Sequence, residues 1–217
     1  MMNLRKFLAR VVPALALMSA AATPALAQQG PQFIPLDPPF TSETAGKQEV
    51  LEFFSYACSH CAVMAPMADT LSKEFPESFT LVHVPVSFNA SMVPMQHLYY
   101  SLVALDRKDL HLKVFDAIHK QKQRLFTRDE IIDWAAKQGI DKQEFTATYD
   151  SFGVGAKVKR AAELTDQYKV NSTPTYAVAG KYITSPGMTG TYESAITVIK
   201  ELVAKETAQK SYHPSSR

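Results

Sequence analysis

The clearest hydrophobic pattern in the chain lies between residues 50 and 86. Residues Val50 to Ser55 form a nearly continuous apolar run, which is typical of a strand buried on both faces. Apolar residues then recur at helical spacing from Ala62 to Phe75, where Pro66 predicts a kink and Pro76 ends the pattern. Residues Phe79 to Val86 alternate as a strand does. This order predicts a β-α-β unit with two parallel strands.

The stretch from Met92 to Lys169 has no strand pattern and repeats apolar residues at helical spacing instead. Thr127 followed by Glu130 has the spacing of a capping box, which marks the start of one helix. A span of this length predicts an inserted all-helical subdomain. The amphipathic helices predicted in it are Leu98–Leu105, Lys108–Gln123, Arg128–Gln138 and Val158–Tyr168.

The strand pattern returns after Pro174. Residues Thr175 to Val178 and Lys181 to Ile183 predict a hairpin, and Tyr192 to Lys205 predicts a closing amphipathic helix. A short edge strand is predicted near the start, at Gln32 to Leu36. Together these elements predict an α/β fold with a mixed central sheet flanked by helices and interrupted by the helical subdomain.

The first 27 residues have the pattern of an export signal. Three basic residues precede an apolar stretch at Val11 to Ala22, and Ala25-Leu26-Ala27 offers small residues for cleavage. The apolar stretch is well short of the roughly 20 residues that a membrane-spanning helix needs. We therefore predict a cleaved signal peptide over residues 1–27 and an exported mature protein.

The signal peptide also accounts for the basic character of the whole chain. The formal net charge is +2, and removal of residues 1–27 takes away three basic residues and no acidic ones. Twenty Lys and Arg then face 21 Asp and Glu, a net charge of −1. This balance does not favour nucleic acid or an anionic membrane as a partner.

The chain has two cysteines, Cys58 and Cys61, separated by Ser59 and His60. A disulfide that closes so short a loop removes little entropy from the unfolded chain, so this spacing suits chemistry better than stabilisation. Two alternatives stay open, a purely structural disulfide and a zinc site. The zinc site needs two further ligands, and the other histidines show no paired spacing.

Cysteines at the junction of a buried strand and a helix have a specific chemistry. The unpaired N–H groups and the positive dipole end of the helix favour the thiolate of Cys58, and an imidazolium or ring N–H from His60 would favour it further. A thiol of low pKa is a good leaving group and stabilises the reduced protein. The oxidised form of such a pair is therefore an oxidant.

Two further residues stand out from their surroundings. Glu52 lies inside the apolar run and is either solvent-facing or a buried carboxylate of raised pKa beneath the cysteines, where it could exchange a proton with Cys61. Pro174 follows Thr173 directly before a strand. This position is compatible with a cis peptide bond in a loop that forms one wall of the substrate site.

Three segments together resemble the DsbA family of periplasmic disulfide oxidoreductases: Val50 to Tyr56, the motif Cys58-Ser59-His60-Cys61, and Val170 to Thr175. The resemblance covers nearly the whole mature chain and implies a thioredoxin-like fold. The division it implies is a signal peptide at 1–27, a thioredoxin-like domain at 28–91 and 170–207, a helical insertion at 92–169 and a disordered tail at 208–217.

The resemblance also implies roles for individual residues. Cys58 is expected to be the exposed nucleophile, Cys61 the buried resolving cysteine and Glu52 the buried acid of the family. Thr173 and Pro174 are expected to form the cis-proline loop that contacts the substrate. This chain departs from the family in two places: Ser59-His60 stands where the best-known members have Pro-His, and Leu81-Val82 where some members place a charged strand residue.

The expected function is a periplasmic thiol:disulfide oxidoreductase of a Gram-negative bacterium that introduces disulfides into reduced exported proteins. A DsbB-like, quinone-coupled membrane oxidase would re-oxidise it, and no metal, nucleotide, flavin or nucleic acid is expected. The protein is expected to be a monomer. One alternative is an isomerase or reductase of the DsbC or DsbG type, although only about 20 residues precede the first core strand where those proteins carry a dimerisation domain. The other is a non-catalytic periplasmic chaperone.

Overall fold

The computed structural model describes residues 30–212, with side chains described to residue 209. The predicted signal peptide at 1–27 lies outside this range. The strands are β1 (Ile34–Pro35), β2 (Gln48–Phe54), β3 (Phe79–Pro85), β4 (Thr175–Val178) and β5 (Tyr182–Thr184). The helices are α1 (Ser59–Lys73), α2 (Val93–Ala104), α3 (His111–His119), α4 (Arg128–Lys137), α5 (Lys142–Tyr149), α6 (Phe152–Gln167), α7 (Pro186–Thr189) and α8 (Tyr192–Tyr212).

The strands form one mixed sheet in the order β1-β5-β4-β2-β3. Strands β2 and β3 are parallel, as the β-α-β pattern predicts, and β4 pairs with β2 and β5 in antiparallel fashion. Strand β2 therefore lies inside the sheet, and β3 lies at its outer edge. The predicted thioredoxin-like α/β fold with a mixed sheet is confirmed.

Both faces of β2 are covered, which explains its uninterrupted apolar sequence. Successive side chains of a strand point to opposite faces, and Val50 packs in a cluster formed with α1 and α8. Leu51 and Phe53 pack on the other face against Ala161 and Tyr168, at the end of the helical region. The sheet thus lies between two helical layers.

A third apolar cluster joins the end of β2 to helices α2–α5. It contains Phe54 and Tyr56 beside Cys61, so the loop that carries the cysteines packs on the helical subdomain. Thr127 and Glu130 form the predicted capping box at the start of α4, with both reciprocal hydrogen bonds present. Through the shared apolar cluster, helices α2–α5 pack against the loop between β2 and α1.

The helical region departs from its predicted pattern at several helices: α2 begins at Val93 instead of Leu98, and α3 ends at His119 instead of Gln123. Helix α5 was not predicted, because only Phe145 and Tyr149 of its eight residues are buried and the apolar pattern is too sparse to detect. Helix α6 begins at Phe152 instead of Val158, because the Ser151 side chain caps it by accepting from the Val154 N–H. Helix α6 also packs on the sheet, so the predicted insertion includes one layer of the sheet domain.

The prediction of a disordered tail from residue 208 is wrong for its first residues, since α8 continues to Tyr212. The last turns are anchored by buried Glu206, which accepts from Tyr182 Oη at 3.1 Å and pairs with Lys181 Nζ at 2.5 Å. These contacts tie the helix to the hairpin. Across residues 30–212, no helix is both long enough and apolar enough to cross a membrane.

Candidate active site

Cys58 lies at the junction between the end of β2 and the start of α1. It is the N-cap of α1 with extended backbone dihedrals, and its Sγ accepts from the Cys61 N–H at 3.3 Å. The helix begins at Ser59, earlier than the predicted Ala62, because the sulfur takes the place of the usual capping oxygen. The sulfur therefore sits at the positive end of the helix dipole.

The pKa of Cys58 is lowered from an ordinary 9.0 to about 5. The largest cause is a hydrogen bond from the Cys61 thiol, which outweighs the opposing effect of partial burial. The Thr173 side chain and the backbone N–H groups of Cys61 and His60 add to the decrease. The direction agrees with the sequence-based prediction and makes Cys58 a thiolate at neutral pH.

Cys61 has the opposite character. Its side chain is buried, and burial together with the neighbouring Cys58 raises its pKa far above the ordinary value. Both cysteines are free thiols in this structure. The pair thus consists of one accessible thiolate and one buried thiol that donates a hydrogen bond to it.

The His60 side chain forms its hydrogen bond with a residue that is distant in sequence. Its ring is exposed, and Nδ1 lies 2.6 Å from the hydroxyl of Tyr192, the first residue of α8. It is the backbone N–H of His60 that lowers the pKa of Cys58. Sequence reasoning did not find Tyr192, because nothing in its surroundings distinguishes it from an ordinary residue at a helix start.

The loop before β4 lies against Cys58. Its Thr173-Pro174 peptide bond is cis, as predicted, and the Thr173 carbonyl oxygen is 3.3 Å from Cys58 Sγ, where it can accept from the thiol. A cavity of about 350 Å³ opens beside this loop, and His60, Tyr192 and Pro186 of α7 also line it. An extended chain that reached the sulfur would pass along this cavity.

Glu52 is buried in the centre of the sheet, so the solvent-facing alternative is wrong. Its Oε1 accepts from the Tyr176 hydroxyl at 2.6 Å, and its Oε2 lies 2.5 Å from His83 Nδ1. The predicted raised pKa is also wrong. Burial acts to raise the pKa of Glu52, but His83, with Tyr176, lowers it below its ordinary value. The carboxylate is therefore ionised at neutral pH.

The strand neighbour of Glu52 is a residue that was not singled out from the sequence. The parallel register sets His83 directly opposite Glu52. His83 lies 4.9 Å, centre to centre, from the ring of His111. Burial and the neighbouring His83 lower the pKa of His111 to about 3, and its Nδ1 lies 2.8 Å from the Tyr56 hydroxyl.

These contacts connect Glu52 to the cysteine loop by two routes, one through Tyr176 and one through His83 and His111. Tyr56 lies in the segment between β2 and Cys58. Burial and the neighbouring Glu52 raise the pKa of Tyr176, and Cys61 adds to the increase, which places Tyr176 near that cysteine. The polar groups beneath the cysteines therefore form a chain of side chains from Tyr176 through Glu52, His83 and His111 to Tyr56. Because they are coupled through short contacts, they respond together to a change in charge.

Comparison with known proteins gives a consistent result. A family model described as a DSBA-like thioredoxin domain matches residues 89–193, and one described as thioredoxin matches residues 37–98. The thiol:disulfide interchange protein DsbA of Bordetella parapertussis is 44% identical over 193 residues, which are 88% of this chain and 92% of the relative. The DsbA of Pseudomonas aeruginosa is 32% identical over 180 residues, 82% of this chain and 85% of the relative.

The structural comparison agrees with the sequence comparison. The crystal structure of Pseudomonas aeruginosa DsbA superposes with a TM-score of 0.79 at 31% identity, covering 83% of this chain and 94% of that one. The similarity thus spans the sheet, the helical insertion and the cysteine loop together. The chain belongs to the DsbA family of thiol:disulfide oxidoreductases.

Proposed function

We propose that Cys58 and Cys61 form the redox-active disulfide with which this oxidoreductase introduces disulfide bonds into other proteins. The observation that carries the proposal is the opposite ionisation of the two cysteines. Cys58 is partly accessible with a pKa of about 5, whereas Cys61 is buried and its pKa is raised. A substrate sulfur can therefore form a bond with Cys58 and not with Cys61.

The reaction consists of two exchanges. A substrate thiolate attacks Cys58 Sγ of the oxidised enzyme, which breaks the internal disulfide, forms a mixed disulfide and leaves Cys61 as the departing sulfur, which takes up a proton. A second substrate thiolate then attacks the substrate sulfur of the mixed disulfide, and Cys58 leaves as a stable thiolate. The substrate loses two electrons and two protons: the enzyme gains both electrons and keeps one proton on Cys61, and the second proton passes to solvent while Cys58 stays a thiolate.

The surrounding residues support these steps in different ways. Thr173 and Pro174 provide one wall of the substrate cavity, and Thr173 also contacts the Cys58 sulfur. His60 contributes its backbone N–H to the thiolate, and its ring, hydrogen-bonded to Tyr192, lines the same cavity. Glu52 is the ionised group beneath the pair. We assign it the role of accepting or supplying the Cys61 proton through its polar neighbours.

The proposed location of this activity rests on the predicted signal peptide at residues 1–27. We place the mature protein in the periplasm of a Gram-negative bacterium, where reduced exported proteins are its substrates and oxidising conditions favour disulfides. Each turnover leaves the enzyme reduced, so it needs an electron acceptor. A DsbB-like, quinone-coupled membrane oxidase has the required chemistry.

Trapping with oxidised glutathione tests the assignment of the two cysteines. In the Cys61→Ser variant, the Cys58 thiolate attacks oxidised glutathione, forms a mixed disulfide and releases one glutathione thiolate. The protein then has no second thiol to resolve the adduct, so we expect nearly complete conversion to it when oxidised glutathione is in large excess. In wild type, Cys61 resolves the adduct and glutathione is released. Acid quenching followed by intact-mass measurement distinguishes the two products.

The matched control is Cys58→Ser, which leaves the buried Cys61 with its raised pKa. This variant should form little adduct at neutral pH in the same time, because its remaining thiol is neither ionised nor accessible. Equal adduct formation by both variants, or none by Cys61→Ser, would contradict the assignment of Cys58 as the nucleophile.

A further inference from the structure

The outer edge of β3 presents unpaired backbone groups. The register with β2 is defined at both ends: the Gln48 N–H donates to the Ser78 carbonyl, and the Val86 N–H donates to the Phe54 carbonyl, at 2.8 and 2.7 Å. Backbone groups of successive strand residues point in alternate directions within the plane of a sheet. The even-numbered residues of this segment therefore bond to β2, and the odd-numbered residues point outward.

The outward-pointing groups at the two ends of β3 are already used. The Phe79 N–H donates to the Pro76 carbonyl at 2.9 Å, and the Pro85 carbonyl accepts from the Gln96 side chain at 2.7 Å. The odd-numbered residues between them are 81 and 83. Their N–H and C=O groups form the free part of the edge, since no strand of the described chain lies beyond β3.

A groove follows this free edge. It encloses about 610 Å³, and it is lined by Leu81 and His83 together with Phe75 at the end of α1 and Tyr100 on α2. One wall therefore belongs to each face of the sheet, and the edge of β3 forms the base. Added strands lie about 4.7–4.9 Å from their neighbours, so an extended chain seated on β3 would lie within this groove.

The groove carries excess positive charge. Lys47, Lys108 and Lys157 all line it, and among the described residues none of them has an ion-pair partner. Glu77 is the one carboxylate among the lining residues. His83 is partly exposed to the groove, and its Nδ1 contacts the buried Glu52.

The lysines do not block the edge. Lysine on an edge strand is a common means of preventing unwanted pairing, but β3 itself has the sequence Phe-Thr-Leu-Val-His-Val-Pro and contains no lysine. Lys47 precedes β2, Lys108 follows α2 and Lys157 lies on α6. They flank the groove at positions from which they could pair with the side chains of a bound segment.

We propose that this groove binds an extended acidic polypeptide segment, which adds to β3 as a further strand and places carboxylates against Lys47, Lys108 and Lys157. The backbone groups of Leu81 and His83 would supply the main-chain hydrogen bonds, and the lysines would supply the selectivity for acidic sequences. The site is separate from the substrate cavity beside Pro174, and its ligand requires no cysteine.

A fluorescent, cysteine-free peptide of about eight residues that alternates Glu and Val tests the proposal. Anisotropy titration with the oxidised mature protein at low salt should show saturable binding. The double variant Lys108→Glu/Lys157→Glu should weaken it at least tenfold. The matched control Lys113→Glu/Lys159→Glu changes two exposed lysines outside the groove and should bind as wild type does.

A second peptide separates strand addition from charge attraction. Methylation of alternate backbone nitrogens removes the N–H groups that face β3 and should abolish binding without changing the peptide charge. The proposal is overturned if the first peptide does not bind, if both lysine variants lose affinity equally, or if the methylated peptide binds equally well. Sedimentation as a dimer that occupies the groove with a second copy would also overturn it. The lysine variants should keep the oxidase activity of wild type. A loss of peptide binding would then not result from damage to the cysteine site.

Discussion

Raising the pH from 5 to 8 should stabilise the reduced protein relative to the oxidised protein by about 2 kcal/mol. The folded-state pKa of Cys58 is lowered from 9.0 to about 5, so the folded reduced protein binds fewer protons than the unfolded chain throughout this range. Stability is gained as the pH rises above 5 and is lost as the pH falls through that value. The full shift corresponds to about 4 kcal/mol over three pH units, which we halve because the sulfur is partly solvated.

Urea unfolding of both redox forms at several pH values measures this difference. The oxidised form has no thiol to titrate, and all other groups are common to the two forms, so the difference isolates the cysteines. The constraint that the disulfide places on the unfolded chain contributes a constant of about 2 kcal/mol that does not change with pH. A difference that stays constant between pH 5 and 8 would contradict a stabilised Cys58 thiolate.

Replacing His83 with leucine should destabilise the protein by about 3–5 kcal/mol, because it leaves the carboxylate of Glu52 buried without its hydrogen-bond partner on β3. Tyr176 alone would then hydrogen-bond to Glu52. Protonation of Glu52 would limit the loss, so the cost should be larger at pH 8 than at pH 5. Urea unfolding of the oxidised protein at both pH values measures it.

Two further variants distinguish this charge effect from a simple loss of packing. The double variant Glu52→Leu/His83→Leu should recover most of the stability, since an apolar pair in a buried site avoids the unpaired charge. His97→Leu is the matched single control, because His97 bonds to a backbone carbonyl of Tyr149 and should cost about 1 kcal/mol. Failure of the double variant to recover would exclude the pairing as the cause.

Much of the fold could be predicted from local patterns. The apolar run at β2, the helical spacing of α1 and the pattern of β3 each depend on residues adjacent in sequence, so the β-α-β unit and the position of Cys58 follow from them. The capping box of Thr127 and Glu130 is local for the same reason. Helix α5 lacks such a signal, because its burial depends on contacts from α2 and α4.

The residues that the sequence reading missed all depend on pairing between distant segments. His83 could have been found by aligning the two predicted parallel strands, since a shift of one residue decides whether it or Val82 faces Glu52. No local pattern predicts that Tyr192, 132 positions from His60, forms a hydrogen bond with its imidazole. The raised pKa predicted for Glu52 was wrong because burial alone was considered, without the partner that burial brings near.

The redox potential of the Cys58–Cys61 pair tests the central claim most directly. Equilibration of the purified protein with glutathione buffers, followed by acid quenching and separation of the two forms, yields this potential. The reference member of the family has a potential of about −120 mV, whereas that of thioredoxin is about −270 mV. A stabilised Cys58 thiolate favours the reduced form and predicts a value near the first of these. A value near −270 mV would instead describe a reductase and would contradict the account.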